Sequence, residues 1–528
     1  MQKSVAVRPP VALDRRERNR TRMTEEEKYL KMILRARVYD VAEETPLDFA
    51  RRLSERLKNE IWLKREDLQP LFSFKVRGAY NKIANLPESV RAGGVVAASA
   101  GNHAQGVALG ARRLHVRATI VMPRTTPAIK IESVKAQGAR IVLFGDGYDE
   151  AYGHALEISK KNGQPLLHPF DDPDVIAGQG TIGMEILRQR AGSIDAIFVP
   201  IGGGGLIAGI AAYIKALRPE IRIIGVEPEE APTMFVALER GRRVELKEVG
   251  MFADGVAVRM VGRETFKIAR RCVDEVILVN TDEICGAIKE IFDDTRSISE
   301  PAGALAVAGL KKYVEREQLQ AKHLIAVNSG ANMNFDRLRH IAERADLGEG
   351  REAIFAVTIP EEPGSFRRFC KTIGARNVTE FNYRYSDDRQ AHVFVGINLV
   401  RGAAEQTELT GVLREAGYQV LDLSGNEMAK LHVRHMVGGR APQITNEVVY
   451  RFEFPERPGA LLKFLTAIGH NWNISLFHYR NHGAAYGRVL AGVQVPPKER
   501  KRFESYLDRL GYRYLDETDN PARALFLG

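Results

Sequence analysis

Cysteine is scarce in this chain: Cys272, Cys285 and Cys370 are all that occur in 528 residues. None stands in a C-x-x-C spacing, which excludes a disulfide-built scaffold and a cysteine-ligated zinc site and points to a reducing, cytoplasmic setting. Metal-binding acids cannot be placed, so no metal site is assigned. Long apolar runs are also missing; the longest, around residues 194–201, is strand-sized, far short of the ~20 residues a membrane-spanning helix needs. A basic stripe interleaved with aromatics, the footprint of a nucleic-acid-binding surface, is absent too. Much of the net charge of +10 sits in the first 25 residues (Lys3, Arg8, Arg15, Arg16, Arg18, Arg20, Arg22), and the remainder is scattered among acids. That arginine-rich start does not read as a transit peptide, because Asp14 and Glu17 interrupt it and serine is nearly lacking. It reads as a flexible extension, within a segment taken over residues 1–34, and the basic excess suits small anionic substrates better than a polymer.

What is present is an ordinary soluble composition, 44% hydrophobic and 27% charged, long enough for two or three domains. From about residue 40 to 345, β-branched runs such as Val95–Ala98, Ala118–Met122, Ala139–Phe144, Ala196–Pro200, Ile221–Val226 and Leu324–Val327 alternate with helix-length segments. Strands this apolar imply mostly parallel sheets covered on both faces, an α/β architecture expected over residues 35–346. After Gly350 the grammar changes. Thr358-Ile359-Pro360-Glu361-Glu362-Pro363-Gly364 recurs 95 positions later as Glu453-Phe454-Pro455-Glu456-Arg457-Pro458-Gly459, and Phe381-Asn382-Tyr383-Arg384 returns as Phe477-His478-Tyr479-Arg480. Each copy reads as a βαββαβ module, expected over 351–430 and 446–528; two copies are too few for a solenoid and suggest a packed pair.

Four segments carry chemistry. In Ser73-Phe74-Lys75-Val76-Arg77-Gly78 a lysine stands between a strand-like run and a helix start, beside an aromatic and a hydroxyl; such a lysine can form a Schiff base with a carbonyl cofactor, or can be a solvated surface residue. Gly202-Gly203-Gly204-Gly205-Leu206 follows a strand and opens a helix, where backbone N–H groups and the helix dipole attract a phosphate. Gly203-x-Gly205-x-x-Ala208, with Glu227 closing the next strand, also fits a dinucleotide site. Ser99-Ala100-Gly101-Asn102-His103-Ala104-Gln105-Gly106 offers amides and a hydroxyl for a carboxylate, and Asn102 for a cofactor oxygen, although caps without function read the same way and His103 looks structural. Ser329-Gly330-Ala331-Asn332 puts a hydroxyl at the carboxyl edge of a sheet, where open α/β folds bind ligands.

In this order the four segments resemble the fold-type II pyridoxal 5′-phosphate enzymes, and within them the biosynthetic threonine dehydratases. The resemblance covers roughly residues 35–345, and the doubled modules, similar to that family's ACT-like domains, extend it to the chain end. It implies two open, mostly parallel sheets, with Lys75 as the Schiff-base lysine and the base that removes the α-proton. Phe74 would pack on the cofactor ring, Gly202, Gly203, Gly204, Gly205 and Leu206 would cradle the phosphate, Asn102 would bond the ring oxygen, and Ser329 would face the ring nitrogen. Ser99, Ala100, Gly101, Asn102 and His103 would bind the substrate. The reaction implied is L-threonine to 2-oxobutanoate and ammonia, with serine a poorer substrate because one missing methyl costs only ~1–3 kcal/mol. Ala100 stands where the related serine racemases carry a second serine, so little racemisation is expected. The modules imply inhibition by isoleucine opposed by valine, with Gly364, Tyr383, Gly459 and Tyr479 near the effector rim, and a homotetramer. A serine dehydratase or threonine synthase is the rival within the fold. A nicotinamide-dependent oxidoreductase is the rival outside it, and it leaves Lys75, Ser99–Gly106 and Ser329 without a task.

Overall fold

The computed structural model of the chain describes residues 5–6, 25–335, 337–385, 389–431, 433–436, 441, 444–455, 462, 465–466, 472–480, 486–510, 512–520, 523 and 527. They divide into two compact units, residues 1–345 and 346–528. The first contains strands β1 (Val5–Ala6), β2 (Leu47–Phe49), β3 (Glu60–Arg65), β4 (Val95–Ala98), β5 (Ala118–Met122), β6 (Arg140–Leu143), β7 (Ala196–Pro200), β8 (Arg222–Pro228), β9 (Glu275–Val279) and β10 (His323–Asn328). Seven of these form one sheet in the order β1-β9-β8-β7-β10-β3-β2, while β4, β5 and β6 form a second. From β9 to β3 the large sheet is parallel, and β1 and β2 close its edges antiparallel. The small sheet is wholly parallel.

Strand β7 shows why its sequence is apolar without alternation. Ile197 and Val199 enter one core cluster with Ile176, Ile207 and Ile210, whereas Ala196 and Phe198 enter another with Ile224, Leu305 and Leu324. Both faces are covered by helices, so both sets of side chains leave water. The covering is close. A methyl at Gly209, on the helix Gly205–Leu217, would come within 2.4 Å of the Ile176 carbonyl on the helix Pro173–Gln189.

The extension expected over residues 1–34 needs correction at its C-terminal end. Glu25–Leu34 is a helix whose Tyr29 and Ile33, one turn apart, are 0% and 1% exposed and join the cluster of Ile176 and Ile210. The apolar pair at i,i+4 faces the core, with Leu30 and Met32 packed beside it and Glu26 paired with Arg271. Residues 1–4 and 7–24 lie outside the described residues.

The second unit holds β11 (Glu352–Pro360), β12 (Val378–Arg384), β13 (Gln390–Asn398), β14 (Gln419–Asp422), β15 (Glu447–Pro455), β16 (Asn473–Arg480), β17 (Tyr486–Gln494) and β18 (Arg513–Asp516). The first repeat reads β11, the helix Ser365–Ile373, β12, β13, the helix Ala403–Glu415 and β14, a complete βαββαβ module. The two repeats join edge to edge in one eight-stranded antiparallel sheet, order β14-β11-β13-β12-β16-β17-β15-β18, through the β12–β16 pair. Among the described residues no helix is long and apolar enough to cross a membrane.

Candidate active site

Strand β3 delivers the chain to the carboxyl edge of the large sheet, where the turn before Lys75 is fastened to the end of β10. Ser73 bridges Gly330, the Phe74 amide donates to the Ser329 carbonyl (3.3 Å) and the Ala331 amide donates to the Phe72 carbonyl (2.9 Å). Two segments more than 250 residues apart in sequence are thus stitched by backbone. Lys75 then opens the helix Lys75–Asn85.

That helix is anchored by Arg77, which is fully buried. Its guanidinium donates to Glu66 (2.8 and 2.7 Å), to Glu185 (2.5 and 3.0 Å), to the Thr181 hydroxyl (3.1 Å) and to the Glu43 carbonyl (3.0 Å). Lys64 completes the cluster by donating to Glu185 at 2.6 Å. Burial pushes the Glu66 carboxyl up, but the Arg77 charge and hydrogen bonds outweigh it and hold the carboxyl below its ordinary range. Two cations and two carboxylates therefore balance out of water.

Lys75 itself is half-buried, and its Nζ donates to the Gly255 carbonyl at 3.4 Å. Burial lowers its pKa, against the opposing pull of the Glu300 and Asp254 carboxylates. A desolvated amine of this kind spends more of its time neutral, the state that attacks a carbonyl or takes a proton.

The helix Asn102–Arg113 lies against the lysine helix because Gly106 lacks a side chain: a methyl there would sit 3.1 Å from the Lys75 carbonyl. This packing brings the Ser99–Asn102 turn to the lysine helix. The Gly101 amide donates to the Ser99 hydroxyl (3.2 Å), and the space where a Gly101 side chain would project is open. Ala100 is partly buried against the neighbouring core. Asn102 donates through Nδ2 to Glu300 (2.8 Å) and accepts at Oδ1 from Asn332 (2.8 Å). His103 differs from its neighbours. Its imidazole is 2% exposed and Nε2 meets the Leu167 carbonyl at 3.0 Å, and burial pulls its pKa down to about 3. The ring is a neutral core group, which leaves only the backbone of His103 for a ligand.

Residues Gly202–Leu206 connect β7 to the helix Gly205–Leu217. Gly204 has φ +94°, and a side chain on Gly203 would fall 2.2 Å from the Phe170 ring, so glycine is required at both places. The Gly203 carbonyl is taken by the Thr265 hydroxyl (2.7 Å) and the Gly262 amide (3.2 Å). The amides of Gly202, Gly203 and Gly204 donate to no protein group among the described residues, although Gly203 and Gly204 are buried. Buried donors left over at a helix N-terminus fit an anion such as a phosphate monoester. The loop reaches the lysine through one segment: Gly255 accepts from Lys75, and Val256 packs where a Gly202 side chain would stand, 2.9 Å away.

Glu227, the acid that made a dinucleotide site plausible, is spent elsewhere. It is fully buried and accepts from the amides of Met234 (2.8 Å) and Phe235 (2.9 Å), capping the helix Thr233–Glu239. Burial raises its pKa to about 8. The Ser329 hydroxyl is 3% exposed and donates to the Ala302 carbonyl at 3.4 Å.

Sequence reasoning missed Glu300. It is 5% exposed, holds Asn102, and its own amide donates to the Gly330 carbonyl (3.1 Å). Its one sequence signal is an acid immediately before Pro301 at a helix start.

In the second unit, Gly364 has φ +91° and starts the helix Ser365–Ile373. Gly459 lies outside the described residues. Tyr383 and Tyr479 are not rim residues: they are 4% and 3% exposed, in the central core. Both sit on the β12–β16 pair, which occupies the middle of the merged sheet, and the Tyr383 hydroxyl donates to Glu361.

A desolvated lysine and a glycine loop of unpaired amides, joined at one sheet edge beside a serine and an asparagine, define a pyridoxal-phosphate-dependent enzyme. Residues 38–330 match the family described as "Pyridoxal-phosphate dependent enzyme", and residues 343–433 and 438–527 match the "C-terminal regulatory domain of Threonine dehydratase". The L-threonine dehydratase biosynthetic IlvA of Burkholderia multivorans is 57% identical over 94% of this chain and 99% of its own length. Its Escherichia coli counterpart is 52% identical over 94% of this chain and 97% of its own. Among solved structures, the processed form of threonine deaminase isoform 2 from Solanum lycopersicum matches with TM-score 0.62 and 48% identity, over 65% of this chain and 97% of that one. The chain belongs to the biosynthetic threonine dehydratases, PLP-dependent lyases that deaminate L-threonine to 2-oxobutanoate at the first step of isoleucine biosynthesis.

Proposed function

We propose that this chain performs the family's reaction with Lys75 as the cofactor-bearing amine and the base at the substrate α-carbon. The observation that carries this reading is the placement of Lys75: a desolvated amine at the edge of the sheet, tied by its turn to Ser329 and through Gly255–Val256 to the glycine loop. Gly202, Gly203, Gly204, Gly205 and Leu206 would hold the phosphate, Asn102 the ring oxygen, Ser329 the ring nitrogen and Phe74 a ring face. Pyridoxal phosphate supplies, when bound, the electron sink for the negative charge left at the α-carbon. Ser99, Ala100, Gly101, Asn102 and the His103 backbone would receive the substrate carboxylate, orienting the α-hydrogen for Lys75. Opposite a neutral hydroxyl such as Ser329 the ring nitrogen would stay unprotonated, which would weaken electron withdrawal and favour loss of the β-hydroxyl, as water, over transamination. The visible spectrum before and after borohydride tests the reading: a yellow band reduced onto Lys75 is expected, and a colourless protein that binds nicotinamide overturns it.

The regulatory domain is read as the seat of isoleucine inhibition and valine relief, in a homotetramer located in the cytoplasm. The regulatory-domain match supports the first, and three buried cysteines, none in a disulfide among the described residues, support a reducing compartment. A chain truncated near residue 346 should retain turnover and lose isoleucine sensitivity; inhibition that persists places the effector site in the first unit.

A further inference from the structure

Asn102 is the member of this site whose amide has the least freedom. Its Oδ1 accepts from Asn332 Nδ2 (2.8 Å), which also donates to the Leu71 carbonyl (2.6 Å), and its Nδ2 donates to Glu300 Oε1 (2.8 Å). The chain Leu71–Asn332–Asn102–Glu300 thus fixes which end of the Asn102 amide is nitrogen. With one Nδ2 hydrogen committed to Glu300, the second is left for a ligand. Glu300 is equally constrained. Its amide is tied to Gly330, and side chains on Gly330 and Gly255 would fall 2.6 and 3.6 Å from Oε1, so the carboxyl lies between the Ser329 segment and the Gly255 segment that contacts Lys75.

We propose that Glu300 is a positioning residue for the cofactor: it orients Asn102 so that the free Nδ2 hydrogen serves the ring oxygen of pyridoxal phosphate. The proposal rests on the assignment of Asn102 as the ring-oxygen ligand. Asn102 lies 198 residues from Glu300 in sequence, so the pairing is a product of the fold alone. The charged groups acting on Glu300 are Asp254, Lys75 and Lys130. Burial first, and then the Asp254 carboxylate, raise its pKa to about 7, while Lys75, the Asn102 hydrogen bond and Lys130 draw it down. Either protonation state keeps an acceptor oxygen for Asn102.

The test is binding of pyridoxal phosphate to the full-length apoenzyme, followed by absorbance without substrate, in Asn102→Ala, Glu300→Ala, Glu300→Gln and Asn102→Ala/Glu300→Ala. Glu300→Ala should weaken binding by about tenfold, the value of one hydrogen bond to a charged group. Glu300→Gln keeps an acceptor and should stay within about threefold of wild type. In the double variant the loss should equal that of Asn102→Ala alone, because a residue acting through Asn102 has nothing left to orient. A merely structural role predicts additive losses and no rescue by Gln, and either result overturns the proposal. Unchanged binding in Asn102→Ala overturns the Asn102 assignment and the proposal together, whereas a loss in Asn102→Ala with none in Glu300→Ala overturns the proposal alone.

Discussion

Replacing Arg77 by leucine should expose how the lysine helix is held. The substitution deletes six hydrogen bonds in a fully buried site. Glu66 retains the Thr45 hydroxyl (2.6 Å) and the Gln69 amide (3.1 Å), and Glu185 retains Lys64 (2.6 Å) and the Tyr39 hydroxyl (2.8 Å). One lysine then faces two carboxylates, so one buried negative charge is left uncompensated. Breaking a buried pair in this way costs about 3–5 kcal/mol, a large share of the ~5–15 kcal/mol that holds a typical protein together. At roughly 2 °C per kcal/mol for a unit of this size, its unfolding midpoint should fall by ~6–10 °C. The pH dependence gives a second signature. In the wild type the folded Glu66 pKa is depressed below 4.5, so its contribution is present above that value and is lost as pH falls through the lower, folded pKa. In Arg77→Leu a carboxyl can relieve the imbalance by taking a proton, so the difference from wild type should be larger at pH 8 than at pH 5. Circular dichroism of the full chain under heat and urea at both pH values measures this. A midpoint within about 1 °C of wild type, or a deficit that grows on acidification, would refute the reasoning.

Other consequences can be checked independently. Lys75→Ala should remove both the visible band of the holoenzyme and turnover while circular dichroism stays native; residual turnover above a hundredth of wild type argues against its role. Gly203→Ala puts a methyl 2.2 Å from the Phe170 ring and should cost about 1–3 kcal/mol in stability, with loss of cofactor affinity; unchanged binding would show that the loop is not a cradle. Glu227, raised from 4.5 to about 8 by burial, holds a proton in the folded state that the unfolded chain gives up, so its contribution to stability should decline as pH rises between those values. Urea denaturation of wild type against Glu227→Gln at pH 5 and pH 8 checks that sign, and a wild type that gains on the variant at pH 8 contradicts it. Chiral chromatography should find D-threonine and D-serine forming far more slowly than 2-oxobutanoate and pyruvate, since Ala100 offers no proton to the opposite face; comparable rates would sink that reading.

Much of this molecule could be read from the order of its residues, because the relevant information is local. Runs such as Ala196–Pro200 and Ala118–Met122 are strands wherever both faces are covered, since β-branched residues bounded by glycine or proline leave the backbone few alternatives. Lys75 and the Gly202–Leu206 loop are likewise written in short motifs whose spacing follows from strand-turn-helix geometry, and the 95-residue recurrence exposes the doubled module. What the tertiary structure decided is which groups meet. Glu227 has the spacing of a ribose-binding acid, yet the fold turns it onto the amides of Met234 and Phe235. Tyr383 and Tyr479 look like rim residues of separate modules, but pairing of β12 with β16 puts both in the middle of one sheet. Glu300 carries almost no local signal, and only the meeting of two helix starts distant in sequence, with Glu300 tied to Gly330, brings it to Asn102. Periodicity and turn chemistry act over a few residues and so are encoded one segment at a time. A hydrogen bond across 198 residues depends on every segment between its ends, and it exists only once the chain has folded.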